Sequence, residues 1–138
     1  MMNSVFPIDL GVKNSGDAMQ NLYTAGASAE RPWGAWTVLD TGPGYAIKRI
    51  TVRPGGVLSL QRHRHRAEVW TMVAGVAEVT LGDDIFSAGP GECVQVARFK
   101  THRVANRGAE DVVFIEVQTG ATLDENDIER LADDYGRL

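Results

Sequence analysis

The sequence predicts an all-β protein, built as an antiparallel sandwich or barrel. Three observations favour this class. Most apolar residues fall in short runs that alternate with polar residues, as in strands that bury one face. Glycine and proline clusters, as at 42–44 and 89–91, separate these runs at intervals of about 8–12 residues. Helical spacing occurs only near the C-terminal end.

The elements follow in order along a chain of 138 residues, a length that suits one domain. Pro54 and the two glycines after it turn the chain into a strand that carries two histidines. Gly82 with two following aspartates indicates a hairpin. The predicted strands cover 35–40, 45–53, a segment ending at His65, 68–73, 76–81, 85–86, 93–97, 102–105 and 111–118.

The two ends of the chain differ from this pattern. Residues 1–30 are polar and small, and we expect them to form an N-terminal arm, with a strand at Val5, Phe6, Ile8 and Leu10. Residues 31–138 form the predicted domain. Within it, 123–135 is expected to be a short helix, because its apolar residues recur at helical spacing, acidic residues fill its first turn and Gly136 follows.

Composition excludes several classes of function. The formal charge of −4, from 14 basic and 18 acidic residues, gives no case for nucleic acid or an anionic membrane as a partner. The single Cys93 excludes an intramolecular disulfide and a paired-cysteine zinc site. No signal segment or membrane span is evident, so we expect a soluble, cytoplasmic protein.

The three histidines indicate a metal site. In an extended strand Gln61, His63 and His65 share one face, and Glu68 follows on the next strand. Together with His102 they form a ligand set suited to zinc, iron, manganese, cobalt or nickel. Gln61 is either a further ligand or a hydrogen-bond donor to one. Spacing alone leaves open the alternative that these are ordinary surface histidines.

Two motifs resemble those of the cupin superfamily. Residues 56–75 carry a glycine, His-x-His, and a glutamate separated by six residues from Gly75. His102 and Asn106, which follow a Pro-Gly-Glu turn, resemble the second motif. A closer resemblance is to the type II phosphomannose isomerase cupin domain, usually the C-terminal part of a bifunctional mannose-1-phosphate guanylyltransferase and mannose-6-phosphate isomerase. It covers about residues 30–138 and rests on 31–34, 48–52, 58–61, 65–70, 116–120 and 133–137.

The resemblance implies a double-stranded β-helix, or jelly-roll barrel, that is often dimeric and holds one divalent metal, with zinc favoured. The implied ligands are His63, His65, Glu68 and His102, with Gln61 adjoining. Two departures stand out: Val69 replaces a family histidine, and Ala-Arg-Phe-Lys at 97–100 replaces the usual Pro-Ala-Gly-Thr.

The implied function is a metal-dependent isomerase that interconverts mannose 6-phosphate and fructose 6-phosphate through an enediolate. Arg66 is then expected to anchor the phosphate or steady the enediolate, with Lys48, Arg31 and Arg137 as weaker candidates, and Glu116 is a candidate base. The expected partners are a sugar phosphate or another small anion and a second copy of the chain. The alternatives are a non-catalytic metal- or sugar-binding cupin and another metal-dependent cupin enzyme, such as a dioxygenase.

Overall fold

The computed structural model describes residues 19–138. Over these residues the chain forms strands and no helix, which confirms the all-β class. No described segment is a helix long and apolar enough to span a membrane. The strands are β1 (Gln20–Asn21), β2 (Ser28–Arg31), β3 (Gly34–Gly42), β4 (Tyr45–Val52), β5 (Leu60–Arg62), β6 (Ala67–Ala74), β7 (Ala77–Leu81), β8 (Asp84–Ala88), β9 (Cys93–Val96), β10 (His102–Ala105), β11 (Val112–Thr119), β12 (Thr122–Leu123) and β13 (Glu129–Ala132).

Two antiparallel sheets enclose the core. One has six strands in the order β2-β3-β4-β11-β6-β9, and the other has five in the order β13-β5-β10-β7-β8. A third pair, β1 with β12, is parallel. Every strand predicted between residues 35 and 118 has a counterpart in these sheets. The alternation of apolar and polar residues therefore located the sheets well.

Apolar side chains from both sheets fill the space between them. Trp70, Met72 and Phe114 project from the six-stranded sheet, and Val79 and Val104 project from the five-stranded sheet. All are buried. Burying side chains of this size stabilises the fold by about 1.5–3 kcal/mol each. The core holds the two sheets face to face and so fixes the inward-facing polar residues that lie beside it.

The predicted C-terminal helix over 123–135 is wrong. Its residues form part of β12, the whole of β13 and the turns between them. β13 pairs antiparallel with β5, and Arg62 on β5 donates two hydrogen bonds to the Glu129 carboxylate. These long-range contacts outweigh a weak local preference for helix. Leu131, which the helical pattern assigned to a buried face, is exposed.

The histidine-bearing strand is shorter than predicted. β5 ends at Arg62, and the chain then bends. The Asp127 carboxylate holds this bend by accepting the backbone N–H groups of Arg64 (2.9 Å) and His65 (2.9 Å). The two-residue alternation of a strand therefore does not reach His65, and His63 and His65 point in different directions: the first is buried and the second is exposed.

Part of the predicted N-terminal arm is described by the structure. β1 pairs with β12, and β2 pairs antiparallel with β3. The strand expected at Val5, Phe6, Ile8 and Leu10 lies outside the described residues. The division of the chain into an arm over 1–30 and a domain over 31–138 stays a prediction.

Candidate metal centre

Three buried side chains from different parts of the fold converge on one point. His63 lies just after β5, Glu68 is on β6 and His102 begins β10. Their ligand atoms all lie within 4.8 Å of one another, and each side chain is about 2–3% exposed. His102 pairs across the β10–β5 ladder with Gln61, two residues before His63 in the chain. This group could hold a metal ion.

Hydrogen bonds to backbone carbonyls orient both imidazoles. Nδ1 of His63 lies 2.7 Å from the Asp127 carbonyl oxygen, and Nδ1 of His102 lies 2.9 Å from the Lys100 carbonyl oxygen. Because a carbonyl only accepts, each Nδ1 carries a proton, and each ring turns its Nε2 toward the centre, where a neutral ring offers a lone pair. Burial lowers the pKa of His102 to about 4, so this ring is neutral at pH 7. Backbone carbonyls commonly hold metal-ligating histidines in this way.

Arg66 and Trp70 hold the Glu68 carboxylate. Arg66 Nε donates to Oε2 at 2.8 Å, and the Trp70 indole donates to Oε1 at 2.9 Å. Oε2 also lies 3.1 Å from Nε2 of His63. Burial alone would raise the pKa of Glu68, but the positive charge of the buried Arg66 guanidinium beside it helps to hold that pKa well below its ordinary value. The carboxylate is therefore ionised and its oxygens are fixed for a cation.

Of the other two residues proposed as ligands, His65 is not part of this group of three. The His65 side chain is exposed. Its backbone is packed closely, because the His65 carbonyl oxygen lies so near Gly120 that a Cβ at position 120 would be 2.2 Å from it. His65 faces an open groove of about 660 Å³ on the outer side of His63. Gln61 is half-buried, accepts a hydrogen bond from Ser59 and lines a separate cavity beside the cluster.

Glu116 and Gln118 lie on the inward face of β11, next to the cluster. The strand alternates strictly, with Val112, Phe114, Glu116 and Gln118 buried in turn. Gln118 pairs with Glu68 across the β11–β6 ladder and donates to Oε2 of Glu116 at 2.8 Å. Burial and the nearby Glu68 charge raise the pKa of Glu116 to about 8. Because every second residue from Val112 faces inward, the alternation in the sequence could have identified Gln118 as an inward-facing residue. The sequence alone suggested only an ordinary polar position on the last strand.

A second buried charged group lies beside Arg66. Lys48 Nζ contacts Glu125 Oε2 at 2.5 Å and lies 4.5 Å from the Tyr23 ring centroid and 4.3 Å from that of Trp36. The Tyr23 hydroxyl donates to Glu125 and accepts from Arg66. Burial raises the pKa of Tyr23. Sequence reasoning found Lys48 but missed Tyr23 and Glu125, because neither lies near a histidine in the chain.

The family of the chain follows from comparison with known proteins. Residues 18–133 match the family model described as mannose-6-phosphate isomerase C-terminal. The chain belongs to this family. This confirms the resemblance to the phosphomannose isomerase cupin domain.

The relatives of this family member are longer proteins, and the chain matches only a part of each. It is 48% identical over 107 residues to the xanthan biosynthesis protein XanB of Xanthomonas campestris pv. campestris (strain B100), covering 78% of this chain and 23% of XanB. It is 46% identical over 108 residues to the mannose-1-phosphate guanylyltransferase of Escherichia coli K12, with coverage of 78% and 23%. With the alginate biosynthesis protein AlgA of Pseudomonas aeruginosa, identity is 47% over 107 residues and coverage is 78% and 22%. The chain thus spans less than a quarter of the length of these relatives.

Solved structures confirm the cupin double-stranded β-helix. The capsular polysaccharide assembling protein CapF of Staphylococcus aureus aligns with a TM-score of 0.67 at 21% identity, covering 78% of this chain and 32% of CapF. A double-stranded β-helix protein of Klebsiella pneumoniae aligns at 0.62 and 17% identity, covering 83% and 91%. The Cnp3 cupin domain of Schizosaccharomyces pombe aligns at 0.60 and 18% identity, covering 62% and 64%. At these identities the likeness concerns the fold alone.

The comparisons correct the expected function. We expected this chain to be an isomerase that interconverts mannose 6-phosphate and fructose 6-phosphate. The relatives are instead named for guanylyl transfer and for xanthan or alginate biosynthesis, and the chain matches only 22–23% of each. That expectation is therefore wrong as a description of this chain.

Proposed function

We propose that the chain binds one divalent metal ion through His63, Glu68 and His102, and that this centre and the cavity beside it bind a phosphorylated sugar. The observation that carries the proposal is the convergence of two Nε2 lone pairs and one ionised carboxylate on a single buried point. Two imidazoles and a carboxylate suit zinc and also manganese, cobalt, nickel and iron. Zinc is favoured.

Two observations support a phosphorylated sugar as the ligand. The family description contains mannose 6-phosphate, and the E. coli relative is named for mannose 1-phosphate. The cavity beside the cluster is lined by more cationic than anionic side chains, including Lys48, Arg66 and Arg130. A ligand with a phosphate group fits this excess of positive charge.

Four residues are assigned roles around the ligand. A bound metal would polarise a ligand oxygen as a Lewis acid. Arg66 fixes the Glu68 carboxylate through the 2.8 Å hydrogen bond from Nε. Glu116 is a buried carboxyl group in the cavity wall that faces the ligand, and Gln118 orients it by donating to Oε2. Gln61 lines the same cavity, and its side-chain amide offers the ligand a hydrogen-bonding group.

Calorimetric titration of the metal-reconstituted 138-residue chain tests the proposal. We expect mannose 6-phosphate or mannose 1-phosphate to bind when zinc, manganese, cobalt or nickel is present, and binding to be lost after chelation. His102→Ala is expected to abolish both metal and sugar-phosphate binding, whereas His65→Ala leaves both intact. Undiminished sugar-phosphate binding by the chelated protein would refute the role of the metal.

We further propose that the chain pairs as a homodimer, as its family resemblance implied. Support comes from β8, an edge strand of the five-stranded sheet whose Ile85 and Phe86 are exposed. An apolar edge strand is a surface on which another chain can pair. Light scattering on wild type and on Ile85→Lys tests this, with a dimer expected for the first and a monomer for the second; a monomeric wild type would contradict it.

A further inference from the structure

A small cavity of about 50 Å³ opens beside the metal-binding cluster. Arg66 and Glu116 form the part of its wall that contacts the cluster and its neighbours. Elsewhere the wall is built by Trp36 on β3, Arg130 on β13 and Arg31 at the end of β2. Three separate strands therefore bring cationic and indole groups to one space.

Two hydrogen-bond donors in this wall are buried without a partner. Among the described residues, Trp36 Nε1 and Arg130 Nε each have no acceptor and almost no contact with solvent. Buried polar groups are normally satisfied, and an unpaired donor is costly. Both atoms belong to residues that line the same cavity. An acceptor bound there would satisfy both.

The charged side chains of the cavity wall indicate which kind of hydrogen-bond acceptor would bind there. Lys48, Arg66 and Arg137 each have a carboxylate partner, namely Glu125, Glu68 and Asp133.

Arg31 and Arg130 differ from these cations. In the described part of the chain no carboxylate oxygen lies within the 4.0 Å of an ion pair from either of them. Arg31 instead donates to the Glu30 carbonyl oxygen and lies over the Trp36 ring, 5.6 Å from its centroid. Two uncompensated guanidinium groups beside two unpaired donors are the chemistry that binds an anion with several acceptor oxygens.

We propose that this cavity is the subsite for the phosphate group of the bound sugar, with Arg130 Nε and Trp36 Nε1 donating to its oxygens and Arg31 adding charge. The inference rests on the proposed function and deepens it. It also moves the phosphate away from Arg66, whose Nε is occupied by Glu68 and whose Nη1 contacts the Tyr23 hydroxyl at 3.2 Å.

Substitutions that remove single donors test the subsite. Trp36→Phe deletes the indole N–H together with the five-membered ring that carries it, and keeps a phenyl ring beside Lys48. Arg130→Lys keeps the charge and deletes Nε, and Arg130→Gln removes the charge and replaces the guanidinium with a neutral amide. Arg107→Gln is the matched control, because Arg107 is an exposed arginine paired with Glu78 and absent from the cavity wall.

Each metal-loaded protein is titrated calorimetrically with inorganic phosphate, mannose 6-phosphate and mannose. We expect Arg130→Gln to weaken mannose 6-phosphate binding by about tenfold or more and Trp36→Phe by about threefold to tenfold, since hydrogen bonds to charged groups are strong. Arg130→Lys is expected to fall between wild type and Arg130→Gln. The affinity for mannose and the metal content remain unchanged, as do all affinities of Arg107→Gln.

The outcomes separate this inference from the proposed function. If wild type binds mannose 6-phosphate and the Trp36 and Arg130 variants bind it equally well while remaining folded by circular dichroism, the subsite is refuted and the donors serve only water. If inorganic phosphate binds and mannose 6-phosphate does not, the cavity takes free phosphate and the sugar-phosphate assignment fails. If wild type binds neither, the proposed function and the subsite fail together.

Discussion

Nε2 of His63 lies 3.1 Å from Nε2 of His102, and in the neutral rings both atoms carry a lone pair, because each Nδ1 donates to a backbone carbonyl. Two acceptors at hydrogen-bond distance cannot bond to each other. The ionised Glu68 carboxylate beside them adds a third acceptor. The carbonyls of Lys100 and Asp127 thus select the tautomers that suit a cation.

Removing one imidazole of the pair is expected to remove the metal. His63→Ala deletes one of three protein ligands, so we expect metal affinity to fall by more than about 100-fold. Mutating a residue that only hydrogen-bonds to a metal ligand costs about 10–100-fold, and loss of the ligand itself should cost more. Elemental analysis after reconstitution and gel filtration measures the metal per chain. His65→Ala is the matched control, because it deletes the neighbouring exposed imidazole. Stoichiometric metal in His63→Ala would refute the assignment.

Much of the fold could be predicted from the sequence, but only part of the centre. Two-residue alternation located β3 to β11, since each strand buries one face. It failed after β5, because the Asp127 carboxylate bends the chain at Arg64 and His65, and a bend imposed from 62 residues or more away leaves no local signal. The same contacts explain the failed helix over 123–135. Sequence patterns record local preference, whereas here a distant segment decides the local geometry.

Metal binding is expected to stabilise the fold. A ligand that binds only the native state at 100 times its Kd adds about 2.7 kcal/mol to the free energy of unfolding. For a chain of this size that corresponds to a rise in Tm of about 5–10 °C. Differential scanning calorimetry with and without zinc measures the shift, and a chelator should reverse it. His65→Ala should show the full rise, and a rise of the same size in His63→Ala would indicate binding elsewhere.

Arg66→Ala is expected to destabilise the metal-free protein strongly. Arg66 and Glu68 are both buried, and the substitution leaves the carboxylate charge without its guanidinium partner. Breaking such a pair costs about 3–5 kcal/mol. Denaturant unfolding measures the loss. Arg62→Ala, which breaks the exposed pair with Glu129, is the control and should cost much less, because water screens that pair. Similar losses in both variants would show that burial of the Arg66 pair is unimportant.

The contact between Lys48 and Glu125 predicts a pH dependence of stability. Burial acts to raise the pKa of Glu125, but the Lys48 charge and hydrogen bond lower it overall. A carboxyl group whose pKa is lower in the folded state stabilises the fold above its unfolded pKa, and this contribution disappears as pH falls through the folded pKa. Glu125→Gln should therefore be less stable than wild type at pH 7, and the difference should shrink below pH 4.5, the ordinary value. Urea unfolding from pH 7 to pH 3 measures it; a constant difference would contradict the ionic contribution.

Phe99 is held in a conformation that favours glycine. Its φ is 65°, and its side chain is 53% exposed. The backbone is fixed there because the Phe99 N–H donates to the His63 carbonyl oxygen at 2.8 Å. A left-handed conformation costs a residue with a side chain about 1–2 kcal/mol, and glycine avoids this cost. Glycine loses more conformational entropy on folding, however, which costs about 0.5–1 kcal/mol. Phe99→Gly should therefore raise the free energy of unfolding by about 0.5–1 kcal/mol.

Phe99→Ala separates the backbone from the ring. Alanine keeps the cost of the positive φ and loses the contact of the aromatic ring with Arg98, whose guanidinium carbon lies 5.1 Å from the ring centroid. We therefore expect no gain in stability from alanine, measured by urea unfolding beside the glycine variant. Both variants should bind metal as wild type does, because the hydrogen bond to His63 comes from the backbone. An equal gain in both would trace the effect to the exposed ring and not to φ.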